Sequence, residues 1–187
     1  RTGKGLRVDI AMLDCAFYMC EASVLEHSLT GKFSERTGNH HAWYAPYGEF
    51  AAKDGNIVIA VTDEDAWQTL CSTLGLDALA ADPRFINNEQ RVANRDALIA
   101  ELEKATSTMG RYEMEEKLHR SGVPAAAVQS LQEFDNDPQT RQLNVITQVT
   151  QEGVGECTVT NTPILFSKTP VDCNASAAGF PGANSRE

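Results

Sequence analysis

Apolar residues recur at helical spacing from residue 8 to about residue 28, with Val8, Met12, Ala16, Met19, Cys20 and Val24 on or near one face. One long helix is expected there, preceded by the turn Arg1-Thr2-Gly3-Lys4-Gly5 and closed by Gly31. The pattern then changes period. Residues 47–53 and 56–62 are short, partly β-branched and aromatic runs separated by Asp54-Gly55, a pair that readily adopts the backbone of tight hairpin turns. They predict a β-hairpin.

Helical spacing returns after the hairpin. Thr62 or Asp63 can cap a helix that runs to about Leu74, with Trp67, Leu70, Cys71 and Leu74 as its apolar stripe and Gly75 as its end. A longer helix over residues 89–106 puts Val92, Leu98, Ile99 and Leu102 inward and leaves its mixed charges to solvent. Thr108 is the expected cap of a third helix, which ends near Gly122. Residues 144–151 and 156–161 suggest another hairpin across Gly153-Val154-Gly155, and Pro163 argues against a central strand position there. Helix, hairpin, helices and hairpin in that order make a mixed α/β chain.

At 187 residues the chain is long enough for one domain or parts of two, and its 42% hydrophobic and 22% charged residues are ordinary for a globular protein. Only the stretch after Thr169 has the composition of a loose tail. A formal net charge of -10 argues against a nucleic-acid surface, whose electrostatic footprint is basic. An acidic chain still binds an anion through a local cluster such as Lys32, Arg36, His40 and His41, although solvated loop charges explain the same residues. The five cysteines, Cys15, Cys20, Cys71, Cys157 and Cys173, have no CxxC or zinc-ligand spacing, so no metal is expected. They suit buried reduced thiols in a cytoplasmic protein better than a disulfide framework. No apolar run approaches the roughly 18 residues of a membrane span, and no signal peptide is visible. The chain opens on Arg rather than Met, directly into a turn, as expected of a chain cut from something longer.

Two stretches carry candidate chemistry. One is Arg1-Thr2-Gly3-Lys4-Gly5-Leu6-Arg7-Val8-Asp9 followed by Met12-Leu13-Asp14, in which glycines permit a tight turn and the charged groups lie where a phosphate can be met. A plain helix-entry turn explains the same letters. The other runs from Arg36-Thr37-Gly38-Asn39-His40-His41 through Trp43-Tyr44-Ala45-Pro46-Tyr47 to Phe50. Here Asn39, His40, His41, Tyr44 and Tyr47 are candidate substrate-binding residues, because an imidazole near neutrality donates readily to a carboxylate. The alternative is a capped loop whose aromatics plug a domain edge. Arg84, Arg91 and Arg95 read as solvated helix charges.

The opening stretch resembles the R-x-G-x-G-Q-x-V-D turn and helix of class III CoA-transferases, with Leu6 in place of Gln. The stretch from Arg36 to Phe50 resembles that family's G-N-x-H-P…A-P-Y-x-x-F segment, with Ala42 where many relatives carry Pro. Trp67-Gln68-Thr69-Leu70-Cys71, Asp82-Pro83-Arg84-Phe85, Arg91 with Asn94-Arg95, and Gly122-Val123-Pro124 continue the resemblance in order, to about Thr169. The resemblance implies an α/β fold of interlocked rings in a homodimer. Residues 1–30 would belong to a Rossmann-like large domain, 31–127 to a small α/β domain, and 128–187 to the return toward the large domain.

It implies coenzyme A as co-substrate, an acyl-CoA and a carboxylic acid as partners, and Met12 beside the bound CoA. In such enzymes an aspartate attacks the thioester to give a mixed anhydride, CoA thiolate leaves, and exchange with an acceptor acid proceeds through further anhydride and thioester steps. The family's nucleophilic aspartate precedes the opening turn, and neither Asp9 nor Asp14 matches it, so residues 1–187 alone are expected to be inactive. The loop 39–47 is then the candidate cover that shields the intermediate from water. Two other readings remain: an acyl-CoA racemase or isomerase of the same superfamily, and a non-catalytic CoA-binding or assembly module.

Overall fold

In the computed structural model, which describes residues 3–33, 35–151, 153–164 and 166–169, the helix expected over residues 8–28 is two helices, α1 (Met12–Tyr18) and α2 (Glu21–Thr30). Cys20, at φ −92° and ψ 17°, leaves helical geometry between them. Neither helix has a buried residue, so packing does not hold the two segments on one axis. Gly31 closes α2 in the left-handed conformation at φ 70°, as expected.

The chain divides into two compact units, Arg1–Val128 and Gln129–Glu187. In the first, strands β1 (Tyr47–Ala52) and β2 (Gly55–Ala60) form the expected hairpin, with Ala52 paired to Gly55 and Lys53-Asp54 as the turn. Phe50, Ile57 and Ile59 point into the core, with the alternation of a sheet that has one buried face. A third strand, β3 (Ala125–Ala127), pairs antiparallel with Ile57–Ile59 and gives the order β1-β2-β3. Sequence reading does not predict it, because alanine is a poor strand former and only pairing with β2 makes the segment extended.

Helix α3 (Glu64–Leu74) matches its expected limits: the Asp63 carboxylate accepts from Ala66 N at 2.8 Å, and Gly75 stops the helix at φ 72°. A single turn, α4 (Asp77–Ala80), follows. The helix expected over 89–106 is instead α5 (Asn88–Ala93) and α6 (Arg95–Thr106), broken at Asn94. The Asn94 amide donates to the carbonyls of Gln90 and Arg84, the side-chain competition that makes Asn a poor helix-interior residue. For α7 (Arg111–Ser121) the cap is Gly110 rather than Thr108. Gly110 has no side chain to offer, and the acceptor comes from the hairpin turn, where Asp54 Oδ1 lies 2.8 Å from Arg111 N. Thr108 donates its hydroxyl backward to Ala105 O.

Trp67, Leu70, Phe85, Leu98, Leu102, Met114 and Leu118 complete the core against the inner face of the sheet. Each such side chain contributes about 1.5–3 kcal/mol by leaving water. Cys71 belongs to the same cluster, and burial pushes its thiol up to about 12. The other described cysteines do not follow the expectation of buried thiols, since Cys15 and Cys20 are exposed and Cys157 is half-buried. Cys173 and the stretch after Thr169 lie outside the described residues.

Arg91 overturns its reading as a solvated charge, being 1% exposed in the middle of this core. Its Nε donates to Ala45 O at 2.6 Å, its Nη1 to Phe85 O at 3.2 Å and to Glu64 Oε2 at 2.8 Å, and its Nη2 to Glu64 Oε1 at 2.9 Å. The guanidinium also sits 5.0 Å from the Trp67 ring centroid. A helix charge turns inward here because acceptors and a π face surround it.

The Gln129–Glu187 unit holds α8 (Leu131–Asn136), α9 (Pro138–Gln142) and the hairpin of β4 (Ile146–Gln151) and β5 (Gly155–Thr160). The hairpin is as expected, with Gln151 opposite Gly155. The two helices are not expected from the apolar pattern, although Ser130 and Glu133 form a capping box before α8 and Asp137 caps α9 ahead of Pro138.

Replacing Arg91 with Leu should cost about 3–5 kcal/mol, because Glu64 loses its bidentate partner and two backbone carbonyls lose their donor. Glu64→Gln should be costly too, by about 3 kcal/mol, because it leaves the buried guanidinium without its counter-ion. Urea unfolding of the two variants checks this, and losses of about 1 kcal/mol or less in both would remove Arg91 from its central place.

Candidate functional site

The loop that carries the candidate residues folds back along the start of β1. His41 N donates to Tyr47 O at 2.8 Å, Glu49 N to Asn39 O at 3.2 Å, and His40 forms an isolated antiparallel bridge with Gly48. The approach is close enough to require glycine: a Cβ on Gly48 would lie 2.3 Å from His40 Nδ1 and 2.5 Å from Asn39 O. Thr37 Oγ1 donates to His40 O at 2.6 Å and closes the other side of the turn.

Because consecutive extended residues alternate sides, the two histidines have different surroundings. His40 meets the Phe50 ring edge-on at 5.3 Å between centroids. His41 stacks on Tyr47 at 4.9 Å, with Tyr44 at 5.2 Å and Trp43 at 5.6 Å. The Trp43 backbone N–H donates to His41 Nδ1 at 3.1 Å, which in the neutral ring places the proton on Nε2. His41 therefore presents an N–H donor inside an aromatic group in which Trp43 and Tyr44 remain partly exposed.

Of the residues singled out from sequence, His41, Tyr44 and Tyr47 come together, and Trp43, not among those candidates, joins them. His40 stands apart from them. The Asn39 amide is spent on Glu49, whose carboxylate also receives Asn56 and so ties the loop to both strands of the hairpin. Met12 lies on α1 with 88% of its surface exposed and is not among the residues walling the cavities beside the loop.

What fixes the loop is a row of side chains on α5 and α6. Arg95 Nη2 donates to His41 O at 2.9 Å and Ala42 O at 2.8 Å. Asn88 Nδ2 donates to Trp43 O at 2.8 Å while its Oδ1 accepts from Ala45 N at 3.1 Å, and Arg91 holds Ala45 O. Neighbouring loop residues are thus gripped by helix positions three and four apart, the spacing of one helical face. The reading of Arg95 as a solvated charge is overturned along with that of Arg91. A signal was present: Arg91, Arg95, Leu98 and Leu102 share one helical stripe, so the arginines continue a row whose other members are buried.

Two cavities flank His40. One, about 480 Å³, is walled by Arg36, Thr37, His40, Asn94, Arg95 and Asp96 among others; the other, about 500 Å³, by Asn39, His40, Glu49, Phe50, Asn56 and Glu103 among others. Of the basic cluster expected from sequence, Arg36 and His40 meet in the 480 Å³ cavity, while Lys32 and His41 do not line it. Burial and then the Arg95 charge hold the His40 imidazole below its ordinary pKa, against Glu103, Glu49 and Asp96, which raise it. The net effect favours the neutral imidazole. The arrangement offers N–H donors, aromatic faces and a fixed backbone, which suits holding and shielding a polar substrate.

A profile of CoA-transferase family III matches residues 1–184. The chain is 38% identical over 146 residues to an acetyl-CoA:oxalate CoA-transferase of Acetobacter aceti, covering 78% of this chain and 38% of that protein. It is 36% identical over 170 residues to a succinyl-CoA:mesaconate CoA-transferase of Haloarcula hispanica, covering 90% of this chain and 42% of that one. The crystal structure of a CaiB/BaiF family protein from Brucella suis superposes with a TM-score of 0.78 at 31% identity, over 98% of this chain and 48% of that chain. The chain therefore spans less than half the length of each of these proteins. With the mixed α/β fold shared and the profile matching almost end to end, the chain belongs to CoA-transferase family III.

Proposed function

We propose that this chain is the C-terminal portion of an enzyme that moves CoA between an acyl-CoA thioester and a carboxylic acid through an aspartyl anhydride, and that the loop 39–47 covers the reacting groups. The observation that carries this reading is the fixed loop itself. It resembles the family's histidine-bearing segment and presents the His41 Nε2–H, its tautomer set by Trp43 N, among Trp43, Tyr44 and Tyr47. An N–H donor on a fixed backbone suits a carboxylate, and with Nδ1 engaged by Trp43 N the ring has no free nitrogen lone pair to activate water. The relatives named for oxalate and mesaconate support a small dicarboxylic acid as acceptor.

In this reading the attacking aspartate belongs to a part of the protein outside residues 1–187. Residues 1–30 and 128–187 contribute to a large domain and 31–127 form a small one; two copies interlock, and the enzyme works in the cytoplasm. Met12, exposed on α1, lies toward bound CoA. His40 serves the cavity side of the loop and Asn39 anchors it through Glu49.

Purified residues 1–187 should show no exchange of CoA between a thioester and a free acid, because covalent catalysis stops without its nucleophile. Exchange above a no-protein control would overturn the assignment of the aspartate.

In the full-length enzyme, His41→Asn should lower kcat/KM for the acceptor acid by roughly 10- to 100-fold, the worth of one hydrogen bond to a charged group. Its melting temperature should stay near that of the parent protein. Unchanged kinetics would take the ring out of the mechanism.

Protonation links His40 to stability. Its folded pKa is held below the ordinary 6.5, so as pH falls the unfolded chain takes up the proton first. This contribution to stability is intact above the unfolded pKa and is lost as pH drops below it. Urea unfolding at about pH 7.5 and about pH 5.5 should show a smaller acid loss for His40→Gln than for the parent protein. Equal losses would contradict the neutral burial of His40.

A further inference from the structure

We propose that Arg95 is the positioning residue of this site, pinning the His41 and Ala42 carbonyls so that the loop stays closed over the reacting groups. This rests on the loop's proposed role as a cover and names the residue that enforces it.

Three side chains of α5 and α6 hold the loop, and two of them also serve the core. Arg91 is buried and paired with Glu64, and Asn88 N is bonded to Glu64 Oε1 at 3.0 Å. Arg95 differs. Among the described residues no carboxylate lies within ion-pair distance of it, and its Nε is buried without a hydrogen-bond partner. A half-buried cation with no counter-ion and an unsatisfied N–H is a poor choice for stability alone. What it does make are two bonds, at 2.9 and 2.8 Å, to the consecutive carbonyls of His41 and Ala42.

The chemistry of the side chain matches that task. Guanidinium is planar and always charged, and its donors are fixed relative to one another, so its placement at the first residue of α6 transmits the helix position to the loop. A lysine ammonium is a point charge on a flexible stem and would meet the two carbonyls without fixing their orientation. Arg95 also walls the cavity beside His40, so it touches the surroundings of both histidines: the backbone at His41 and the space next to His40.

A cover released from this pin would admit water. Water then attacks the anhydride carbonyl in place of the acceptor or CoA; the C–O bond to aspartate breaks, and free acid and regenerated aspartate result. CoA stays as free thiol, and the net reaction is thioester plus water to acid plus thiol. The readout is therefore a partition, thiol released per new thioester formed, which a loss of folded protein does not change.

The test uses the full-length enzyme with succinyl-CoA and mesaconate, and with acetyl-CoA and oxalate, comparing the parent with R95Q and R95K. Transfer kcat should fall about 10- to 100-fold in R95Q, the effect of a small displacement of a positioned group. Thiol release per transfer should rise several-fold, R95K should recover only part of the loss, and both variants should melt near the parent. If R95Q does not fold, R95K carries the comparison. A partition equal to the parent's in the folded variants, with loss of melting temperature alone, would make Arg95 merely structural and overturn the proposal. A parent enzyme that transfers CoA with neither pair but hydrolyses thioester would instead remove the transferase reading, and this inference with it.

Discussion

The Arg91 guanidinium is the junction on which the small fold depends. It joins Glu64 at the start of α3, the Phe85 carbonyl before α5, the Trp67 ring and the Ala45 carbonyl at the end of the loop. Removing such a cation from water costs several kcal/mol, and only full satisfaction of its donors offsets that. The core and the loop are consequently not independent. A change that shifts Ala45 leaves a buried charge short of an acceptor, and one that shifts α5 releases the loop.

The loop 39–46 has almost no regular structure, yet its backbone groups find partners, as partly buried polar groups must. They find them partly on the backbone of β1 and the residue after β2, and partly on side chains of Asn88, Arg91 and Arg95. The far end of α6 treats the following strand similarly: Glu103 accepts from Ala51 N at 3.0 Å, and Thr106 donates to Ala51 O at 2.7 Å. This covers the free edge of β1, which would otherwise offer unpaired groups to another chain. Helices α5 and α6 thus set the position of both the loop and the strand it leads into. The loop proposed as a cover is held in place by helix packing.

Residues 6–29 present a different situation. Leu6, Val8, Ile10, Met12, Leu13 and Phe17 are all largely exposed. So much apolar surface on one short segment marks an interaction face. The proposed assignment of residues 1–30 to a large domain gives that face its cover and gives Met12 a place near CoA. The break at Cys20 occurs where neither helix has a buried residue to keep the pair straight.

Local chemistry was legible in the sequence. Asp63 and Gly75 bound α3 as expected, Gly122 ends α7, and both hairpins form where turn residues separate the runs, because caps and turns involve residues a few positions apart. The gathering of His41, Tyr44 and Tyr47 was legible too, since they lie within one short loop. Tertiary structure alone decided the rest. Ala125–Ala127 becomes a strand only because β2 offers it a partner, and α7 takes its cap from Asp54, 57 residues away. Arg91 and Arg95 turn inward because carbonyls 46 and 54 residues distant wait for them, and the local pattern of charge holds no record of acceptors that folding brings from so far.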